Sequence, residues 1–114
     1  MKYINRCIIT LKPKKPFVDW VITLDGVEVP ETWDFEGGAY LLDEHDTEEA
    51  VNANIQNNAI SMFENELSAW TEDRTRWPEE RDAQILEQWF SIHTAVACFD
   101  LSKNALLRAD IETF

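Results

Sequence analysis

Apolar and polar residues alternate from Tyr3 to Lys12, with Tyr3, Cys7, Ile9 and Leu11 on one side and Arg6, Thr10 and Lys12 on the other. That is the period of a half-buried strand rich in β-branched residues. Ile4 and Ile8 interrupt the polar side. Pro13 ends the pairing. Pro16 suits the first turn of a helix, where its missing N–H has no partner to lose, and Phe17, Trp20, Val21 and Leu24 then recur at i, i+3, i+4 and i+7. This predicts a short helix with one buried face.

Asp25-Gly26 is a turn signal, and the stretch to Gly37-Gly38 holds Pro30, Trp33, Phe35 and scattered acids without a period, so it reads as a loop. Ala39-Tyr40-Leu41-Leu42 is a brief apolar run consistent with a short buried strand. Asp46 and Glu49 have capping-box spacing, and Glu48 and Glu49 put negative charge where a helix dipole is positive. A helix should start there. Val51, Ile55, Ala59, Met62, Phe63, Leu67 and Trp70 carry its stripe to about Thr71, although Asn52, Asn54, Asn57 and Asn58 are weak helix formers.

Thr71 to Trp77 reads as a polar loop. Pro78 is expected to open a further helix, with Ile85, Leu86, Trp89 and Phe90 as its buried stripe. From Ile92 to Leu101 the period returns to about two, as in a strand. The segment from Ser102 reads either as a capped turn before Ala105-Leu106-Leu107 or as a frayed end.

The predicted fold is α+β, a single domain over residues 1–114, in the order β-α-β-α-α-β, with a small three- or four-stranded sheet and helices mainly on one face. Strands separated by helices imply crossover connections, right-handed where strands are parallel. Ile4 and Ile8 on the first strand, and Ile92, Val96 and Cys98 on the last, leave apolar material on both sides of the sheet. A further element or a second copy, in a homodimer, would cover the other side.

Charge changes the picture more than composition does. A chain of 114 residues with 45% hydrophobic and 28% charged residues is globular, and it should bury roughly 65% of its unfolded surface. No Lys or Arg occurs from Pro16 to Asp73, a span that carries fifteen Asp and Glu residues. The net charge of −12 and pI near 4.4 argue against direct nucleic-acid binding and against anionic membranes. No window approaches the ~20 apolar residues of a membrane span, and nothing at the N-terminus resembles a signal peptide. The expected location is cytoplasmic. Cys7 and Cys98 lie in the two most strand-like segments, so a bridge is conceivable if those strands are neighbours; two buried free thiols are the plainer reading.

No catalytic motif is present. Only three glycines occur, and GxGxxG, GxxxxGK[ST] and GxSxG are all missing. Asp43-Glu44-His45-Asp46, with Glu48 and Glu49, lacks the EF-hand spacing and reads as a solvated helix start, with weak binding of a hard cation as the sharper alternative. His45 and His93 have no CxxC or HExxH context for zinc, and His93 reads as a half-buried strand histidine. It leaves the opposite face from Cys98 and lies about 7 Å from Ser91 by strand rise, too far for direct proton transfer. The expectation is therefore no cofactor and no metal site. Lys12, Lys14 and Lys15 form the one basic cluster, at a strand-to-helix junction where they could steer an anion or pair with the chain's own acids.

Of five tryptophans, Trp20, Trp70 and Trp89 fall on apolar stripes, while Trp33 and Trp77 lie in loops. Loop tryptophans commonly tuck onto the core. An aromatic ringed by acids also suits an anchor for a basic partner, so Trp33, Asp34, Glu36, Asp43, Glu44 and Asp46 are the candidate interface. The segment from Lys12 to Trp20, with Phe63-Glu64-Asn65-Glu66-Leu67 through Trp70, Trp77-Pro78 and Trp89-Phe90, resembles a family of short acidic bacterial proteins with no assigned activity. The resemblance implies bacterial origin and a single domain, and it carries over no catalytic residues. The expected function is a non-enzymatic interaction or regulatory module for a basic partner, in its most specific form a nucleic-acid mimic. The alternative is a small enzyme or metabolite-binding domain using carboxylates, His93 or the Lys12–Lys15 loop.

Overall fold

The two most strand-like segments are neighbours in the computed structural model, which describes residues 1–34 and 36–111. Phe35 of the predicted loop and the last three residues of the final segment lie outside that range. Strand β1 (Lys2–Ile4) and strand β2 (Arg6–Pro13) are separated by Asn5. Strands β4 (Phe90–Ala95) and β5 (Cys98–Asp100) are separated by Val96 and Ala97. β2 runs antiparallel to β4 from Ile8 opposite Ala95 to Pro13 opposite Phe90, and β1 antiparallel to β5 from Lys2 opposite Asp100 to Ile4 opposite Cys98.

Between those two registers Asn5, Arg6 and Cys7 stand against Val96 and Ala97 alone. One extra residue in one strand is a β-bulge, and it inverts the alternation beyond it. Tyr3 was expected on the side of Cys7. Cys7 is buried, whereas Tyr3 is 57% exposed and meets Phe99 edge-on, ring centroids 6.0 Å apart.

Strand β3 (Ala39–Asp43) pairs antiparallel with the other edge of β2, from Arg6 opposite Asp43 to Thr10 opposite Ala39. The sheet order is β3-β2-β4. All hydrogen-bonded neighbours among the described residues are thus antiparallel, and β3 and β4, which run in the same direction, sit on either side of β2. Helix α1 (Lys15–Ile22) has eight residues, about 12 Å of rise. The eight residues of β2 extend about 26 Å. The chain from residue 23 to residue 38 completes the connection, and β3 comes back beside β2 in the opposite sense. Taking β1 with β2 and β4 with β5 as single bulged strands, the order of elements is the α+β order expected.

Three helices cover one face. α1 buries Phe17 and Val21, with Pro16 in its first turn. α2 (Glu48–Ser68) buries Val51, Ile55, Ala59, Met62, Phe63 and Leu67, the predicted stripe, and runs through its asparagines; Asn58 Nδ2 donates to Asn54 O at 2.8 Å. Its N-cap is Thr47, whose Oγ1 accepts the Ala50 N–H at 3.1 Å, not Asp46. α3 (Ala83–Trp89) starts where Asp82 accepts the Ile85 N–H at 3.0 Å, five residues after Pro78. The Pro78 carbonyl is held instead by the Arg81 guanidinium at 2.7 Å, so the side-chain cap overrides the proline signal. Phe90, expected in the helical stripe, has φ −137 and ψ 145 and opens β4.

Cys7, Ile9, Leu11 and Leu42 meet these helices in one core. Phe17, Phe63 and Phe90 form its aromatic centre, with centroids 4.7 Å apart for Phe17–Phe90 and 5.8 Å for Phe63–Phe90. A 3-10 turn at Arg74–Arg76 is strapped to α1 by Trp20 Nε1 donating to Arg76 O and Arg76 Nη2 donating to Thr23 O, each at 2.9 Å. Cys7 and Cys98 are both free and buried. Among the described residues no helix is long and apolar enough to cross a membrane.

Candidate interaction site at the junction of β3 and α2

The chain leaves the sheet at Asp43 and enters α2 at Glu48 through Glu44, His45, Asp46 and Thr47. This turn concentrates charge for local reasons. The exposed N–H groups of the first helical turn favour carboxylates, and the Thr47 hydroxyl closes one of them. Asn54, one turn and more into the helix, donates Nδ2 to Asp43 O at 3.3 Å, which ties the end of the strand to the helix. Asp43, Glu44, Asp46, Glu48 and Glu49 are all exposed, and His45 is half-buried.

Beneath this rim lies a cleft of about 300 Å³ lined by His45, Asp46, Glu48, Val51, Thr94 and Val96. Val96 belongs to the bend between β4 and β5 and is 66% exposed. Among the described residues, the ion pairs join Asp34 to Lys12, Asp19 to Lys15, Asp25 to Arg76, and Glu64 to Arg74 and Arg81. None uses a carboxylate of the rim. Ionised carboxylates only accept hydrogen bonds, so the rim suits ammonium or guanidinium groups, while the valine floor suits the aliphatic stems that carry them.

The six candidate interface residues do not converge. Trp33 is half-buried and lies on Trp70, ring centroids 5.4 Å apart at 33°. Asp34 accepts from Lys12 Nζ at 2.9 Å. This contact holds the Lys12 ammonium above its ordinary pKa and the Asp34 carboxyl below its own. Lys12 stands six positions along β2 from Arg6, the partner of Asp43, or about 20 Å by strand rise. Trp33, Asp34 and Glu36 therefore belong to one end of the sheet, and Asp43, Glu44 and Asp46 to the other. Lys14 Nζ donates to Glu87 O at 2.8 Å, and Lys15 Nζ to Asp19 at 2.8 and 3.0 Å, so the three lysines of the anion-steering loop are each engaged within the molecule. His93, expected half-buried, is exposed; it stands on the helix-free side of the sheet because its register partner is Thr10, one residue out of phase with buried Ile9 and Leu11. Among the described residues no three His, Cys, Asp or Glu side chains converge on a point where a metal ion could sit.

A polar cluster that sequence reasoning missed lies farther along β3. Glu66, on α2, is buried and accepts the Gly38 N–H on both oxygens at 3.1 Å and the Tyr40 O–H. Burial, and then the Glu66 contact, push the Tyr40 phenol up. The available signal was Gly37-Gly38 itself. Gly26 is the one glycine with positive φ, at 72°, so the pair serves close approach and not an unusual backbone shape. Tyr40 lines a cleft of about 450 Å³ with Leu41, Asn58, Ser61 and Met62, and Glu66 lines a second of about 350 Å³ with Pro13, Phe17, Gly37 and Trp70; Asn65 is common to both. Comparison of the chain with protein-family models, with curated proteins and with solved structures returns no match.

Proposed function

We propose that this chain is a protein–protein interaction module that engages a basic partner through the rim of Asp43, Glu44, Asp46, Glu48 and Glu49. The observation that carries the reading is that Asp46 and Glu48 line a cleft floored by Val51 and Val96, that Asp43, Glu44 and Glu49 stand exposed in the same turn, and that none of the five is neutralised by an ion pair among the described residues. Lys or Arg side chains flanking an aliphatic residue match it, and the field of a chain with net charge −12 would speed their encounter. Where the partner is a nucleic-acid-binding protein, the carboxylates stand in for phosphates, and DNA competes with the chain for it.

The test is capture of partners from bacterial lysate by the tagged full chain, in a salt series, beside the triple variant Asp43→Lys/Glu44→Lys/Asp46→Lys and the single variant Trp33→Ala. One stoichiometric basic protein should be released by salt and by charge reversal, with a smaller effect of Trp33→Ala. Absence of any salt-sensitive partner would sink the reading.

A further inference from the structure

The segment after β5 carries apolar side chains that its own molecule leaves uncovered. Asp100 Oδ1 accepts the Ser102 N–H at 2.8 Å and Ser102 Oγ accepts the Asn104 N–H at 3.0 Å, which closes a turn. From there to Ile111 the backbone has no regular structure. Leu101, Leu106, Leu107 and Ile111 are 78%, 62%, 86% and 72% exposed. Over residues 101–114 Lys103 and Arg108 balance Asp110 and Glu112, a neutral stretch in a chain of net charge −12.

Ile111 reaches the cleft of about 450 Å³ between β3 and α2, where Tyr40, Leu41, Ser61 and Met62 also stand. β3 is hydrogen-bonded to β2 on one side and is the edge of its sheet on the other. An open edge beside an apolar cleft is suited to an added extended segment. The segment's own molecule brings Ile111 to this cleft without burying it.

We infer that the cleft between β3 and α2 takes residues 105–111 of a second copy, the two copies exchanging these segments reciprocally. Successive side chains of an extended chain leave opposite sides. Leu106 and Leu107 therefore cannot both lie on one body, and both are covered only when the segment is held between two. Charge permits the same arrangement. Two strongly acidic bodies repel each other over most of their surfaces, and residues 105–111, in which Arg108 balances Asp110, approach without adding to that repulsion. Reciprocal exchange gives a closed, two-fold dimer. A rival dimer would instead use the helix-free sheet face, where Tyr3 and Phe99 are exposed.

The test uses the full chain in two singly substituted forms, Ser61→Cys and Ile111→Cys, mixed and mildly oxidised. Both positions are exposed, and the native thiols Cys7 and Cys98 are buried. The mixture should yield a disulfide between the two variants, identified by mass spectrometry of the linked peptides. Light scattering on the unsubstituted chain should return twice one chain's mass at tens of micromolar, reverting to one chain for Leu106→Asp/Leu107→Asp. A link that forms only within a chain bearing both cysteines would overturn the inference, placing the segment on its own molecule. So would a monomeric unsubstituted chain, or a dimer that survives Leu106→Asp/Leu107→Asp and is lost with Phe99→Ser.

Discussion

Gly38 donates its backbone N–H to both carboxylate oxygens of Glu66, at 3.1 Å each, and no side chain fits between the two residues. A Cβ at Gly38 would stand 2.6 Å from Glu66 Oε2 and 2.9 Å from the Tyr40 hydroxyl. One at Gly37 would overlap Glu66 Oε1 and stand 2.8 Å from the carbonyl oxygen of Leu11, which accepts the Gly37 N–H at 2.6 Å. Side-chain ends can turn aside, whereas the main chain of β2 cannot move without loosening its ladder. Gly37→Ala is therefore expected to destabilise by about 2–3 kcal/mol and Gly38→Ala by about 1 kcal/mol. Urea unfolding midpoints measure the difference, and equal shifts would contradict it.

Tyr40 gives the same cluster a pH dependence. Its O–H donates to Glu66, and its oxygen accepts from Asn65 Nδ2 at 2.9 Å. Burial first, and the Glu66 contact second, hold the phenol above its ordinary 10.0. With the folded value raised, the native protein keeps a proton that the unfolded chain releases. The resulting stability is complete below about pH 10 and is lost as the pH rises beyond it. Tyr40→Phe has no such proton. It should lose about 1 kcal/mol at neutral pH through the missing hydrogen bond and decline less steeply in alkali. Parallel stability profiles of the two proteins between about pH 8 and pH 11 would refute this assignment.

Glu64 is the other buried carboxylate, its side chain only 8% exposed. Arg81 Nε lies 3.3 Å and Arg74 Nη2 3.8 Å from Glu64 Oε1. The two guanidinium carbons stand 5.7 Å and 5.1 Å from the centre of the Trp77 ring. Glu64→Ala is expected to destabilise by about 2 kcal/mol. That is less than a fully buried pair loses, because the Arg74 side chain is 51% exposed and screened by solvent. Glu64→Gln keeps an acceptor for Arg81 and should lose about half as much. Chemical denaturation of the two variants separates these outcomes; a Gln form as unstable as the Ala form would show that charge alone holds the contact.

The helical stripes and the order of elements along the chain were legible because each element shows a local period, whereas the order of strands in the sheet was not. Val51 to Leu67 and Phe17 to Val21 need no partner to reveal which side is buried. What escaped the sequence depends on residues far apart. The bulge that turns Tyr3 outward exists only in the register of β1 against β5, and Glu66 meets Gly38 across 28 residues of chain. At Pro78 two local signals competed, and the Asp82 side chain prevailed because it satisfies a helix N–H that proline merely tolerates losing. The acidic rim was readable as a run of letters from Asp43 to Glu49. Its floor was not, since Val96 arrives from a bend more than forty positions later. Trp33 and Asp34 were grouped with that rim on charge, yet the strand between them sets the two groups at opposite ends of the sheet.

The bulge itself can be tested by removing a residue. Four steps of chain join Ile4 to Ile8, and three join Ala95 to Cys98. Deleting Asn5 equalises the two, leaves Ile4 opposite Cys98, and keeps Tyr3 on its present side. Deleting Ala97 widens the mismatch to two residues and turns Cys98 outward, with Phe99 inward in its place. Loss of Asn5 is therefore expected to alter stability by no more than about 1 kcal/mol, and loss of Ala97 to destabilise by about 3 kcal/mol or more. Thiol reactivity adds a readout independent of stability. Cys98 is 9% exposed; it should stay protected from a small alkylating reagent without Asn5 and become reactive without Ala97. Rapid labelling of Cys98 in the Asn5-deleted chain would show that the extra residue is needed to keep this side chain inside.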